Sequence, residues 1–418
     1  LFFFTPQAAI RDPLWSRGLG DVYKRQAIIH ATLSGLIKEV AQVTIVKSAT
    51  FQPGYILDRR GDTIWFLGLP YIAVLFAVSC QMWLPAVALV SISLWITIPH
   101  HFATWLRTYG FKEDLSRWKE RLIIGPVIIF TLTILGAIYV PLTLFMVNVL
   151  WDHQHSIMQQ HGFSRIYDFK SGTGTKRSGR FDLGFHWIFF GNMLITSPLF
   201  STIWIAQFAS MGLLPDTSTV QMIQSVSWGI TISYGVVYLL QLIQSVRQGQ
   251  KINPIKYVFI GSSYFLWYFC AWHASSVLVW GIAHRIMHGL QYIIIVYWYL
   301  RRKAETDLPS DIPAEGFGFK LVRYMVASKR VWAFVAISVV YAALFQLVLL
   351  EPIEVFGFGV FRISEVDRTI ESLKSLGMTD AMWQGIYAEI LVAGFGMTHF
   401  YFDSFIWKVR DKKVQKGL

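Results

Sequence analysis

Apolar residues run along most of the chain in blocks of about 20, the length that crosses a bilayer as a helix, with short polar stretches between them. These blocks predict helices near 63–80, 83–106, 122–139, 142–163, 186–208, 222–245, 256–276, 280–300, 331–350 and 382–407. Pro141 divides one long apolar run in two, because proline disfavours helix at the residue before it. The turns at 80–83, 139–142 and 277–280 are short. The pattern predicts an all-α fold, a polytopic integral membrane helix bundle of about ten transmembrane helices over 63–407. It contains no internal repeat. Its longest polar segment, 301–330, is too small for a second core.

Shorter pieces flank the bundle. The first residue is Leu1, and Asp12 to Gln26 (DPLWSRGLGDVYKRQ) resembles translated sequencing-linker sequence. Residues 1–26 are therefore expected to be a linker-derived lead and are set aside from fold reasoning. Residues 27–62 read as an amphipathic lead-in, and 27–47 has the apolar spacing of an interfacial helix. His30 lies there, far from the other histidines, as a structural residue. Residues 408–418 form a basic tail.

Composition agrees with the pattern. The chain is 54% hydrophobic and 15% charged, against ~25% charged in soluble proteins, which excludes a soluble globular enzyme and a disordered chain. Cys80 and Cys270 are the only cysteines, so neither a disulfide framework nor a thiolate metal site can be built. The net charge of +12 is a matter of topology. Loops 107–121, 164–185, 246–256 and 301–330 and the tail 408–418 hold five, five, three, seven and five Lys or Arg residues. The opposite loops hold Arg362, Arg368 and Lys374, with the mostly acidic segment 351–381 facing outward. The positive-inside rule puts both termini in the cytoplasm, as expected for a bacterial inner-membrane protein with some attraction to anionic lipid. No basic domain stands apart from the spans, so nucleic acid is not an expected partner. The glycines of SGTGTKRSG (171–179) lack a preceding strand and Walker spacing, and read as a basic loop. GFGFK (316–320) also reads as a loop.

Histidine carries the candidate chemistry. Of eleven histidines, eight lie in or at the end of predicted spans: His100, His101, His153, His155, His273, His284, His288 and His399. His161 and His186 sit near span ends on the cytoplasmic side. Polar groups inside a bilayer are costly and mark function by default. At 1.5 Å rise per residue, His100, His153, His155 and His399 lie roughly 10–18 Å in from the cytoplasmic ends. His288 lies at about 20 Å, and His273 and His284 at about 25 Å. One site, or two neighbouring ones, can gather them.

Spacing supports convergence. His284 and His288 (HRIMH) are i, i+4 and share a helix face. His399 and Asp403 repeat that spacing, and Asp403 is either a ligand or the carboxylate that orients a ring, as metal sites require. His153 and His155 cannot share a face, so one would ligate while the other turns away. The adjacent pair His100 and His101 poses the same choice, with Pro99 opening the helix there. Arg285 pairs with Asp152, Glu389 or Asp403, or else holds a bound oxygen species. Glu389 is a ligand, a proton acceptor or that partner, because a buried unpaired charge is strongly unfavourable.

Imidazole and carboxylate without thiolate suit Fe, Zn, Cu or Mn. Non-haem iron with molecular oxygen fits best, since oxygen and long apolar substrates both partition into the membrane and iron supplies redox chemistry that side chains lack. The order PHH, DHQH, HASSVLVWGIAHRIMH and HFYFDSFIWK resembles the Brp/Blh family of membrane β-carotene dioxygenases. The resemblance covers about four short motifs over 99–403. It implies iron ligands among His100, His153 or His155, His273, His284 or His288, and His399, and oxidative cleavage of a carotenoid to retinal. The chain departs from that family in its length, its number of spans and its loops at 164–185 and 301–330. Membrane fatty-acid desaturases and hydroxylases are the second resemblance. Only His284 to His288 matches their HxxxH spacing, and no HxxHH occurs. Such an enzyme would need a separate reductase, whereas a dioxygenase would not. A proton- or ion-coupled transporter, with Asp152, Glu389, Arg285 and the histidines along a path, is the reading from another class.

Overall fold

The computed structural model describes residues 51–274, 277–306, 317–326, 330–346 and 380–418, with side chains left undescribed at 86–87, 90–91 and 380–389. The lead at 1–26, the expected interfacial helix at 27–47 with His30, and the outward segment 351–379 lie outside the described residues, as does the side chain of Glu389. The chain divides into two units, of which the larger, 51–242 with 251–418, contains every feature below; the described part of the smaller is 243–250.

All regular elements among the described residues are helices: α1 Arg59–Trp83, α2 Ala86–Tyr109, α3 Lys112–Tyr139, α4 Pro141–Ser171, α5 Lys176–Thr196, α6 Pro198–Ser210 and α7 Thr217–Arg247. They continue with α8 Pro254–His273, α9 Val277–Thr306, α10 Phe317–Val326, α11 Val331–Phe345, α12 Asp380–Ile406 and α13 Lys412–Gly417. A single isolated bridge pairs Phe51 with Ile252.

Helix ends follow local chemistry. The Asp58 carboxylate caps α1 by accepting from Gly61 N–H at 2.8 Å. Proline occupies the first turn of α4, α6 and α8, where its missing N–H leaves no helical bond unmade. Asn253 caps α8, and Thr175 with Ser178 forms a capping box at α5. Pro141 separates α3 from α4 as expected.

Elsewhere the boundaries depart from the apolar pattern. The block 186–208 is two helices bent by 69°, because Pro198 drives Ser197 to extended backbone and the Ser197 hydroxyl caps Phe200. Pro99 does not open α2, which continues through it. GFGFK is not a loop throughout, since α10 begins at Phe317. The glycine-rich segment turns as a loop only over 172–175, with Gly172 at φ 61° and Gly174 at φ 82°, since α4 runs to Ser171 and α5 begins at the basic residue Lys176. These left-handed conformations cost glycine nothing.

Among the described residues, α1, α3 and α7 are long and apolar enough to cross a membrane, and the bent pair α5–α6 makes a fourth if counted as one span. Ile123, Ile124, Val127, Ile128 and Leu132 of α3 all stay exposed, as does the row Ile230, Ile232, Val236, Leu239 and Leu240 of α7. Apolar faces this long are compatible with contact with lipid and exceed what a soluble monomer leaves bare. The helices α2, α4, α8 and α9 are 24, 31, 20 and 30 residues long but are diluted by polar groups turned inward. α9 packs on α1 and α2, while α12 packs on α2, α3 and α4. Glycine permits these approaches. A Cβ on Gly289 of α9 would lie 3.3 Å from Ile96 of α2, and one on Gly394 of α12 would lie 2.6 Å from the Phe130 ring of α3.

Candidate metal centre

Helices α2, α4, α9 and α12 each bring one histidine to a common point. His100, His155, His288 and His399 each offer a ring nitrogen, and these atoms lie within 4.8 Å of one another. The four residues are 4%, 7%, 3% and 0% exposed, so water does not solvate them. His100 Nε2 and His399 Nε2 face each other at 2.6 Å. His155 Nε2 and His288 Nδ1 are buried without a hydrogen-bond partner.

The hydrogen bonds behind the rings fix which nitrogens carry protons. Tyr292 donates its hydroxyl to Asp403 Oδ1 at 2.7 Å. Thr104 donates to the Tyr292 oxygen at 2.9 Å. Thr104 Oγ1 must then accept at its 2.6 Å contact with His399 Nδ1. The proton of neutral His399 therefore sits on Nδ1, and Nε2 presents a lone pair. His100 follows the same logic. Its Nδ1 lies 3.5 Å from the Gly289 carbonyl, which only accepts, so Nε2 again presents a lone pair. Two lone pairs facing at 2.6 Å repel unless a cation, a metal ion or a proton, lies with them. Imidazoles whose far N–H is held by protein oxygen are the usual arrangement at metal sites. The donor set thus forms a buried group of four histidines able to hold a metal ion.

The other expected residues surround this group. Asp403 Oδ2 stands 3.7 Å from His155 Nε2 and 3.8 Å from His399 Nε2, and Asp403 also anchors the Thr104–Tyr292 chain. His284 remains one turn from His288, its ring 5.6 Å away, and its Nε2 is turned to Asp152 Oδ1 at 3.2 Å and Ser156 Oγ at 3.0 Å. Arg285 donates to Ser93 Oγ at 2.6 Å and lies 3.9 Å from Asp152 Oδ2. His101 stays beside the group, its ring 5.3 Å from that of His399. Of the pair on α4, His155 faces inward and His153 turns away. His153 is enclosed by Phe190, Phe200, Trp267 and Trp280. His273 ends α8 as an exposed residue stacked on Phe269 at 4.9 Å. The structure therefore does not bring His153 or His273 to the four-histidine group.

Two clefts flank the group. The smaller, about 450 Å³, is lined by His100, His101, His288, Asp152 and Arg285. The larger, about 1040 Å³, is lined by His155, Asp403 and Tyr292 together with Trp151, Met158 and Ile295. Phe400 lines both. A molecule in either cleft reaches the imidazoles from a different side.

Thr104 and Tyr292 were not expected from the sequence. A signal for them exists: His100–Thr104, His288–Tyr292 and His399–Asp403 are all i, i+4 pairs. Each ligand candidate thus has a polar residue one turn along the same face. No protein-family model, no curated protein and no solved structure matches this chain.

Proposed function

We propose that His100, His155, His288 and His399 hold a non-haem iron, and that the protein is a membrane-embedded oxygenase acting on a long apolar substrate, with oxidative cleavage of a carotenoid as the leading case. The observation that carries this reading is the facing of the His100 and His399 lone pairs at 2.6 Å inside a buried, thiolate-free donor set. Iron bound there would supply the redox chemistry with oxygen that side chains lack. The chain's own residues do the rest. Thr104, Tyr292 and Asp403 hold His399 in one tautomer. Asp152 restrains His284 and faces Arg285 across the smaller cleft. Trp151, Met158 and Ile295 of the larger cleft would seat a hydrocarbon, and Asp403, which lines the same cleft, would ligate or take a proton.

The setting we infer is a bundle of about ten spans in a bacterial inner membrane with both termini cytoplasmic, in which α2, α4, α8, α9, α11 and α12 join the more apolar helices. The lengths of α2, α4, α8 and α9 support this reading, since 20 or more residues reach across the ~30 Å hydrocarbon layer.

The test is metal content of the detergent-purified full chain by elemental analysis, beside a His100→Ala/His399→Ala variant. Near-stoichiometric iron in the parent, lost in the variant, is expected, followed by oxygen-dependent conversion of β-carotene to retinal without a reductase. A parent that takes up no iron after anaerobic loading overturns the reading. Conversion only with an added reductase would point to a desaturase or hydroxylase, and metal-independent uptake in proteoliposomes to a transporter.

A further inference from the structure

Outside the four-histidine group, a second pair of imidazoles meets where α4 packs on α5. The rings of His161 and His186 lie 5.2 Å apart, at 67° to one another. Two imidazoles whose nitrogens sit ~2.1 Å from one ion at a tetrahedral angle have their ring centres at about this spacing. His186 is 0% exposed. Its Nδ1 lies 2.7 Å from the Asp182 carbonyl, which can only accept. The ring proton is therefore on Nδ1, and Nε2 carries a lone pair. That Nε2 is buried without a hydrogen-bond partner, and so is His161 Nδ1. A third such atom, the Tyr264 hydroxyl, belongs to a ring 5.6 Å from that of His186. Buried polar groups are nearly always satisfied, so three unpartnered atoms on neighbouring rings point to a small occupant.

We propose that His161 and His186 form a second metal site, for a borderline ion such as Zn²⁺, with the Tyr264 hydroxyl beside it. The far N–H of His186 is held by a backbone carbonyl, the support that metal-bound imidazoles use. His161 also lines the larger cleft, as do His155 and Asp403. The spacing along α4 from His155 to His161 is six residues, about 9 Å of helix rise, so the two sites are separate. The pair neighbours a charge network of two cations and two carboxylates, in which Lys256 Nζ lies 3.0 Å from Asp168 Oδ2 and 2.6 Å from Asp182 Oδ2, and Arg165 lies 2.6 Å from Asp168 Oδ2.

The test loads the full chain in detergent with Zn²⁺ and, separately, with Co²⁺ as an absorbing probe. Bound metal is counted in the parent, in His161→Gln, in His161→Ala/His186→Ala and in His100→Ala/His399→Ala. His161→Gln keeps a side chain at the cleft and guards against a misfolded double variant. Two bound ions are expected in the parent. One should be lost in either His161 variant, and the other in the His100→Ala/His399→Ala variant. The Co²⁺ visible spectrum should change in the His161 variants while the remaining band persists. A metal count and spectrum unchanged in His161→Gln and in the double variant would overturn the proposal and leave an internal water between the rings. The result does not depend on whether the four-histidine group holds iron, because that group is scored by its own variant.

Discussion

Thr104 Oγ1 sits 2.6 Å from His399 Nδ1 while its own proton goes to the Tyr292 oxygen at 2.9 Å. One hydroxyl on α2 therefore decides which nitrogen of a histidine on α12 is free to bind. The decision passes through Tyr292 on α9 to Asp403, so three helices share one chain of protons. Trp407 Nε1–H adds a further bond to Tyr292 at 3.3 Å.

Removing that hydroxyl should weaken metal binding without removing a ligand. In Thr104→Val, His399 can rotate or change tautomer, and affinity is expected to fall about 10–100-fold, the usual effect of losing such a support. Competition with a chelator of known affinity measures this. Unchanged affinity would show that the chain does not hold the ring.

The close approach of α12 to α3 should control the same ring from a distance. Gly394 faces Phe130, and Gly125 of α3 faces the Tyr401 ring. Gly394→Val forces the helices apart at an expected cost of about 1–3 kcal/mol. It should also lower metal occupancy, because His399 follows five residues later on the same rigid helix. Thermal unfolding in detergent and elemental analysis report the two effects. A stable variant with full metal content would mean that the packing is looser than the structure indicates.

Lys256 is 1% exposed between two carboxylates. Lys256→Met leaves Asp182 and Asp168 short of a cation, although Arg165 still contacts Asp168 at 2.6 Å. Breaking a buried ion pair from one side costs about 3–5 kcal/mol, and a matching loss of stability is expected. Adding Asp182→Asn should recover part of it. If the double variant is no more stable than Lys256→Met alone, the cost comes from lost packing and not from unpaired charge.

Acid should release the tail helix. Glu113, at the start of α3, accepts from Lys413 of α13 at 2.7 Å and lies 3.4 Å from Lys303. The Lys413 hydrogen bond, with the Lys303 charge, holds the Glu113 carboxyl below its ordinary value. A depressed folded-state pKa contributes stability above the unfolded value of ~4.3, and that contribution is lost as pH falls through the folded value. The pair is exposed, so less than ~1 kcal/mol is expected. Parent and Glu113→Gln should differ slightly in unfolding midpoint at pH 7 and converge as pH falls through the depressed folded-state value. A gap that stays constant with pH would rule out the ion pair as its source.

Much of this protein was legible in one dimension. Apolar run length and proline position placed α1, α2, α7 to α9 and α12 to within about six residues, because a helix that buries or exposes a continuous apolar face needs no distant partner to declare itself; the polar ends of α3 (112–121) and α4 (164–171) lie in stretches that the pattern assigns to loops. Histidine abundance in those runs marked the buried four-histidine group for the same reason: a polar ring among apolar neighbours is conspicuous in the sequence. The i, i+4 pairing of His284 with His288 and of His399 with Asp403 correctly put each pair on one face.

Which histidines meet was decided only by the packing of α2, α4, α9 and α12. His153 and His155 are chemically alike and two residues apart, yet the rotation of α4 turns one into an aromatic box and the other to the four-histidine group. His284 and His288 share a face, yet Asp152 across the interface engages the first and leaves the second free. Depth counted along each helix gives height but no azimuth, so His273 matched His284 in counted depth and still ended outside, exposed at the end of α8. Thr104 and Tyr292 are ordinary residues until three helices bring their hydroxyls into one line. The physical reason is the same in each case: a sequence specifies which face of a helix a side chain occupies, and only the tertiary contacts determine what that face meets.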